Sequence, residues 1–534
     1  MPRRTARRVA VPVLLGLLVT GVARLVTGGA VVGSVPIAVA SADGLGAVGE
    51  YHPLAPARIL DTRQWSARPA TGPDGREFDV DVLGLGGLPA PSDADGDGID
   101  DRVLAVAVNV TVVGPTRSGF LSARGAGTAD GGASLLNFQT GADVPNSAVL
   151  RPGQDGRLTL TLVTPTGVGS ADVLIDVFGW FSADRYPVRG ARLVPVQPER
   201  LADTRKSGGP LGPQGVLTVP VRGAGPVPSS SAVVAAVVNL TAVNDLPGAR
   251  DTYLSLVPER PVGVPATSNL NVARGATRPV TAIVPVGSDG SIRVVNWDGT
   301  VHVLVDVFGY LVTGADVSSR AGRVIPLESP FRVLDTRQGT WADVPLPPGG
   351  VEVVSFDGFV GSVTVAGTPV GPQSAVIGNL TATGLRSPSS ASVTSGFVSL
   401  APGDGGAFPD VSNLNLVPGV DAANMALVPY GSAGEDAARA RFRNAFGFVD
   451  LIFDATAIVL GERCAAWWHL GPGPIAWVPC ATPAHALVAA LAYDAHATLA
   501  EAAATMRTAL ARVAIASIEV IGQRSRPKEQ IRIP

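Results

Sequence analysis

Three near-identical hexamers gather the residues that could do chemistry in this chain: Arg58-Ile-Leu-Asp61-Thr62-Arg63, Arg200-Leu-Ala-Asp203-Thr204-Arg205 and Arg332-Val-Leu-Asp335-Thr336-Arg337. Each sets one carboxylate between two guanidiniums. Each is answered later by a second aspartate inside an apolar run: VLIDVFGWF with Asp176, VLVDVFGYL with Asp306 and LIFDATAIV with Asp454. Paired carboxylates could hydrolyse glycosides, with Asp61 and Asp176 as the candidates, but that chemistry needs one acid of raised pKa and an adjacent guanidinium lowers it. Strand alternation puts Leu174, Asp176 and Phe178 on one face and Val173, Ile175 and Val177 on the other. Both faces are apolar, so Asp176 is expected to be buried and must then be paired. Two arginines and two aspartates per copy make a neutral set. Together with Asn109, Asn239 and Asn379 they read either as a ligand pocket or as a polar clasp that fastens the first segment of each copy to its last strand. The clasp is the expected role, because buried polar groups mostly serve mutual satisfaction and register. The three asparagines open Asn-x-Thr triplets, but within apolar strands and not on surface loops, so they are not read as glycan acceptors.

A second chemistry is offered by Asp93-Ala94-Asp95-Gly96-Asp97-Gly98-Ile99-Asp100-Asp101, which interrupts only the first copy. Carboxylates at Asp93, Asp95 and Asp97 can converge on one hard cation, Gly98 allows a sharp turn, and the Ile99 carbonyl and Asp101 fall at the seventh and ninth places. The loop resembles the DxDxDG loops of thrombospondin type 3 and dockerin-like repeats, although Leu104 stands where an EF-hand has its bidentate glutamate. The expectation is a structural calcium site that orders the first copy; the competing reading is a solvated acidic loop.

Other catalytic patterns are missing from the sequence. Histidines at 52, 302, 469, 485 and 496 form no HExxH pair, His302 reading as a strand residue; there is no GxSxG elbow, and neither Lys206 nor Lys528 belongs to a phosphate-binding loop. A GxGxxG from Gly44 to Gly49 follows no strand and reads as linker. The chain is therefore expected not to be an enzyme.

The elements that must position these residues follow from composition and repetition. With 46% hydrophobic residues, 16% charged, 64 Gly and 45 Pro, the sequence suits many short strands joined by turns. A net charge of −3 gives no whole-chain footprint for nucleic acid. After each hexamer the blocks recur in fixed order: an apolar strand around Asn109, Asn239 or Asn379; then GFLSA, YLSL or GFVSL; then SLLNFQTG, SNLNVARG or SNLNLVPG; then the acidic closing strand. The third closing strand has Ala455-Thr456-Ala457 where the others have Val-Phe-Gly, so its end departs from the pattern. The copies are placed at 43–185, 186–315 and 316–460, and their length predicts three tandem antiparallel β-sandwich domains, with a closed barrel as the second architecture.

These blocks resemble the tandem repeats of secreted, cell-wall-associated actinobacterial proteins, which pair RLLDTR with VLNVT, SNLN and VDVxGYF. The resemblance implies an all-β fold and an extracellular address; it supplies no activity. Residues 1–42, with Arg3, Arg4, Arg7 and Arg8 before an apolar run, read as an export signal, or as an N-terminal membrane anchor if retained. Residues 461–534 bring Trp467, Trp468 and Trp477, a disulfide pairing of Cys464 with Cys480 that export would permit, and an Ala-rich helix from about 484 to 521. The reading is a secreted or cell-surface spacer or display platform. The alternative is a carbohydrate-binding protein contacting cell-wall or environmental glycans, and the third choice a secreted hydrolase. Other surface proteins are further candidate partners.

Overall fold

The computed structural model describes residues 48–461 apart from 94–99, 184, 316–318, 339–343, 357–363, 366–367, 370–372, 388–391 and 432–437. Among the described residues the regular structure is strand, with two single 3₁₀ turns at Thr62–Gln64 and Gln154–Gly156. The helix expected near 484–521, the cysteines and the three tryptophans after residue 461 lie outside the described residues, as do residues 1–42.

Each repeat folds into two four-stranded antiparallel sheets with the same strand order. In the first repeat one sheet runs Tyr51–Asp61, Asp172–Ser182, Val103–Val113, Val144–Leu150, and the other Arg76–Asp81, Arg157–Val163, Gly119–Gly125, Leu136–Phe138. The opening hexamer thus ends the edge strand of the first sheet, and the closing acidic strand lies between it and the asparagine strand. Arg58 faces Asp176, which faces Asn109; Arg200, Asp306 and Asn239, and Arg332, Asp454 and Asn379, repeat that register.

Between its two sheets each repeat buries one apolar cluster, for instance Val108, Val110 and Ile175 against Leu121, Leu160 and Leu162. The first sheet of each repeat is apolar on its far face as well. Ala105, Ala107, Val149 and Phe181 of the first repeat, Ala235, Val237, Ile283 and Phe308 of the second, and Ala375, Ile377, Met425 and Leu427 of the third form one shared cluster. These are the inner sheets, and a strand buried on both faces reads as a near-continuous apolar run, as VLAVAVNVTVV does.

The all-β expectation holds, but the three separate sandwiches do not: the six sheets form one propeller-like ring. The physical reason is the second apolar face of each inner sheet. Exposed in an isolated sandwich, it would leave a contiguous apolar patch in water. Among the described residues no four-stranded sheet closes on itself or pairs with its neighbour into a closed barrel, so the barrel alternative also gives way to the ring.

The third closing strand, Phe448–Leu460, continues through its divergent residues and stays buried. In the first repeat Gly179 must be glycine, because a β-carbon there would collide with the Tyr51 phenol. Ala457 occupies the equivalent place opposite Pro326, where Val324 stands in for Tyr51 and leaves room for a methyl group.

The N-terminal edge closes the ring. Tyr51 bridges Ala191, Leu193 N donates to Gly322 O at 2.8 Å, and Val324 N donates to Gly49 O at 2.9 Å. Glu50, 1% exposed, accepts from Arg192 Nη2 at 3.1 Å, Arg189 Nη1 at 3.2 Å and Gly190 N at 2.9 Å, and lies 3.3 Å from Arg323 Nη2. Burial and the neighbouring Arg192 pull the Arg323 guanidinium down to about 10.

Candidate functional site

The hexamer residues divide into two kinds of ion pair. The first arginine reaches across to the closing strand: Arg58 Nε and Nη2 donate to Asp176 at 2.8 and 3.0 Å, Arg200 to Asp306 at 2.7 and 3.1 Å, and Arg332 to Asp454 at 2.8 and 3.1 Å. These aspartates are at most 2% exposed. Burial pushes all three carboxyls up, against the pull of the paired arginine, and Asp306 reaches about 6. Each pair is bidentate, the geometry in which a guanidinium binds a carboxylate most strongly.

The second arginine folds back on the hexamer's own aspartate. Arg63 donates to Asp61 at 2.8 and 2.6 Å, Arg205 to Asp203 at 2.9 and 2.7 Å, and Arg337 to Asp335 at 2.9 and 2.8 Å. Hydrogen bonding to the arginine pulls these carboxyls down, Asp203 to about 2. The two carboxyls of each copy are thus shifted in opposite directions, the closing-strand one up by burial and the hexamer one down by its arginine. The threonine between them is a fixture too: Thr62 and Thr336 donate to Asp172 and Asp450 at 3.1 and 3.2 Å, and Thr204 meets His302 Nδ1 at 3.0 Å.

The asparagines do something the sequence did not announce: they join one repeat to the next. Asn109 Nδ2 donates to Ser268 O at 2.8 Å, Asn239 to Ser412 O at 2.8 Å, and Asn379 to Ser134 O at 2.6 Å. First to second, second to third and third to first, the contacts run once round the ring, each ending on the serine that opens the SLLN or SNLN block. Two joints are reinforced by residues that sequence reasoning missed. Asn146 donates to Asn379 Oδ1 at 2.9 Å and accepts from Met425 N at 3.0 Å; Asn424 donates to Asn239 Oδ1 at 3.0 Å and accepts from Thr281 N at 2.8 Å. The position one residue before the cross-strand partner of the motif asparagine holds Asn146, Val280 and Asn424, and two polar residues there in otherwise apolar strands were the available signal.

No family model matches the chain, and no curated protein matches it. Among solved structures, the N-terminal CBM22-1-CBM22-2 tandem domain of Paenibacillus barcinonensis Xyn10C shares 13% identity over 49% of this chain and 99% of that one, with a TM-score of 0.14. The atomic structure of Sulfolobus Turreted Icosahedral Virus shares 9% identity over 78% of this chain and 92% of that one, again with a TM-score of 0.14. The triple jelly roll of an archaeal virus turret shares 8% over 76% and 96%, with the same score. Scores this low carry no argument about site or ligand.

One cleft of about 810 Å³ opens where the second hexamer meets the third repeat, lined by Gln197, Glu199, Asp203, Lys206 and Ser207 and, across the joint, by Asp410. In the acidic loop, Asp95, Asp97 and Ile99 lie outside the described residues. Of its flanks, Asp100 accepts from Ser92 N, Arg102 N and Val103 N at 2.7, 2.9 and 2.7 Å, and Asp101 pairs with Arg185 at 3.2 Å. Asp100 therefore fixes the loop's exit, and the Asp101 carboxylate already faces a cation.

Proposed function

We propose that the chain is a non-catalytic structural protein of the cell surface or extracellular space, a rigid ring that acts as spacer or display platform. The observation that carries this reading is the cycle of Asn109, Asn239 and Asn379 contacts, which ties each repeat to the next and leaves the repeated motif residues occupied with one another. A ring held through buried hydrogen bonds and a shared apolar core keeps its three outer sheets at fixed mutual positions, as a platform requires. Exported chain should be labelled by a membrane-impermeant reagent on intact cells, and scattering from the purified protein should fit one rigid body. Cytoplasmic retention, or a flexible string of beads, would sink the reading.

A second reading, carbohydrate binding, is favoured by the cleft between Gln197–Ser207 and Asp410. A glycan array probed with the wild-type chain and with Asp410→Ala tests it; no glycan bound by the intact fold ends it. For the acidic loop we propose a calcium ion held by Asp93, Asp95, Asp97 and the Ile99 carbonyl, with Asp101 joining only on release from Arg185. Bound calcium would supply a local positive charge that orders the loop. Calorimetric titration of the full chain beside an Asp95→Ala, Asp97→Ala variant should show heat in the first protein and none in the second.

A further inference from the structure

Because the outer sheets repeat one backbone three times, each surface position has two internal controls. The register is fixed at the start of the strand, where Gly153 N, Gly287 N and Gly431 N donate to the carbonyls of Arg157, Ser291 and Arg439 at 2.9, 2.8 and 3.0 Å, and Val80, Val219 and Val354 stand opposite Leu158, Ile292 and Ala440. Counting forward from these anchors, the alternate positions on one face of the strand are Arg157, Thr159 and Thr161 in the first repeat, and Ser291, Arg293 and Val295 in the second. In the third they are Arg439, Arg441 and Arg443, with Ala440 and Phe442 buried between them.

An antiparallel strand rises about 3.4 Å per residue, so the three guanidiniums share one face at steps of about 7 Å. What flanks them also differs between repeats. In the first repeat Arg157, Thr159 and Thr161 sit opposite Asp81, Asp79 and Glu77, and Arg157 lies 3.1 Å from Asp155 and 3.7 Å from Asp79. Arg293 sits opposite Thr218 and is held by Asp289 at 2.5 and 3.0 Å. Arg443, Arg441 and Arg439 sit opposite Val351, Val353 and Ser355, of which the two valines are 44% and 46% exposed.

Phe408, from the loop after Pro402, places its ring 4.8 Å from the Arg441 guanidinium carbon and 5.6 Å from that of Arg443. Arg441 Nε also donates to Pro402 O at 2.8 Å. A ring over the guanidinium plane restrains the side chain and leaves its remaining in-plane N–H groups for an acceptor such as phosphate or carboxylate. The chain as a whole carries a net charge of −3, so this stripe is a local departure and not a reflection of a basic protein.

We propose that the outer sheet of the third repeat binds a linear polyanion, with Arg439, Arg441 and Arg443 each meeting one anionic group along it. Phosphate and carboxylate polymers share this chemistry. Binding of this kind is electrostatic and weakens as salt screens it.

The test uses the full chain beside an Arg439→Ser, Arg441→Thr, Arg443→Thr variant, which installs at each position a residue that another repeat carries there, Ser291, Thr159 and Thr161. Polyphosphate and polyglutamate serve as the two probes, each titrated at low and at high ionic strength. The wild type should bind at least one of them at low salt and the variant should lose about tenfold or more in affinity, as expected when several charge contacts to a polyanion are removed. The probe preferred tells phosphate from carboxylate. Equal affinity of the two proteins for both probes overturns the proposal. So does sedimentation showing that the wild type self-associates without a probe and the variant does not, which would make the stripe a contact between copies. Should the triple variant melt early, Arg443→Thr alone, at the most exposed of the three positions, carries the same comparison.

Discussion

The inner and outer sheets are built on the same strand order, yet they differ in what the three repeats hold constant. On the inner sheets the arginine, aspartate and asparagine of each copy recur in the same register and make the same bonds, Arg58 to Asp176 and Asn109 to Ser268 being matched twice more. On the outer sheets the equivalent surface triplets hold one arginine in each of the first two repeats, at different places, and three in the third. Residues repeated in all copies are spent on holding the ring together. The residues of the outer triplets that differ between copies are those proposed above to meet a partner.

The sharpest way to break that contrast is Asp306→Ala. It leaves Arg200, whose side chain is 19% exposed, facing a buried vacancy without its counter-charge. Breaking a buried pair by removing one partner costs about 3 to 5 kcal/mol. Denaturant unfolding should show that loss. An unchanged midpoint would mean that the repeated pair contributes nothing to the inner sheets.

Next comes the joint. Asn239→Ala removes the partner of Ser412 O, of Thr281 Oγ1 at 3.0 Å and of Asn424 Nδ2 at 3.0 Å, all deep in the ring. Each buried group left unsatisfied costs about 1 to 3 kcal/mol, so the total should fall near the top of that range. Asn109→Ala should cost less, because its carbonyl oxygen accepts only from Ser147 Oγ, at 3.3 Å, within its own repeat. Where the other joints have Asn146 and Asn424, the second repeat has Val280. Equal losses in the two variants would show that the extra asparagine bonds are idle.

Much of this was legible in the sequence, and the limits have physical causes. The strand periodicity, the block order and the burial of Asp176 followed from apolar patterning on both sides of a carboxylate. The bidentate partner of each aspartate was narrowed to the hexamer arginines by charge neutrality. What patterning could not show was the ring. A strand apolar on both faces states that both faces are covered, but not whether the cover comes from its own repeat or another. Asn109, Asn239 and Asn379 looked like members of the clasp because their strand pairs with the acidic one, whereas their donors point along the joint to a serine carbonyl 159, 173 and 245 residues away. The stripe of Arg439, Arg441 and Arg443 was visible as spacing, but its meaning needed the register with Val351 and Val353 and the loop that brings Phe408 over it.

A pH series sharpens the comparison at an intermediate scale. Burial raises the folded Asp306 carboxyl to about 6 from an ordinary value of 3.8. The folded chain therefore binds this proton more tightly than the unfolded chain does. The contribution is complete below the unfolded value and is lost as pH rises through 6, so stability should increase as pH falls from 7 toward 4.5, by on the order of 2 kcal/mol from this group. Asp203, pulled down to about 2 by Arg205, works in the opposite sense and begins to cost stability only as pH drops below its unfolded value of 3.8. Urea midpoints at pH 7, 5.5 and 4.5 should rise for the wild type and stay flatter for Asp306→Asn. A wild-type midpoint that is flat across this range would show that desolvation does not dominate at the buried aspartates.

The smallest expected effect is the most discriminating for the outer sheets. Arg441→Thr replaces a side chain on the open face of its sheet by the residue found at the same place in the first repeat, Thr159, which lies between Asp79 and Arg124 on its neighbouring strands. The change gives up the bond to Pro402 O and the contact with Phe408, and it gains a β-branched residue that suits a strand. Surface substitutions of this kind usually stay within about 0.5 kcal/mol. Thermal unfolding of the single variant should therefore be nearly superimposable on the wild type, while its affinity for a polyanion falls. A loss of stability approaching that of Asn239→Ala would place Arg441 among the residues that hold the ring, and the division between constant inner sheets and variable outer sheets would no longer mark where the protein meets its partners.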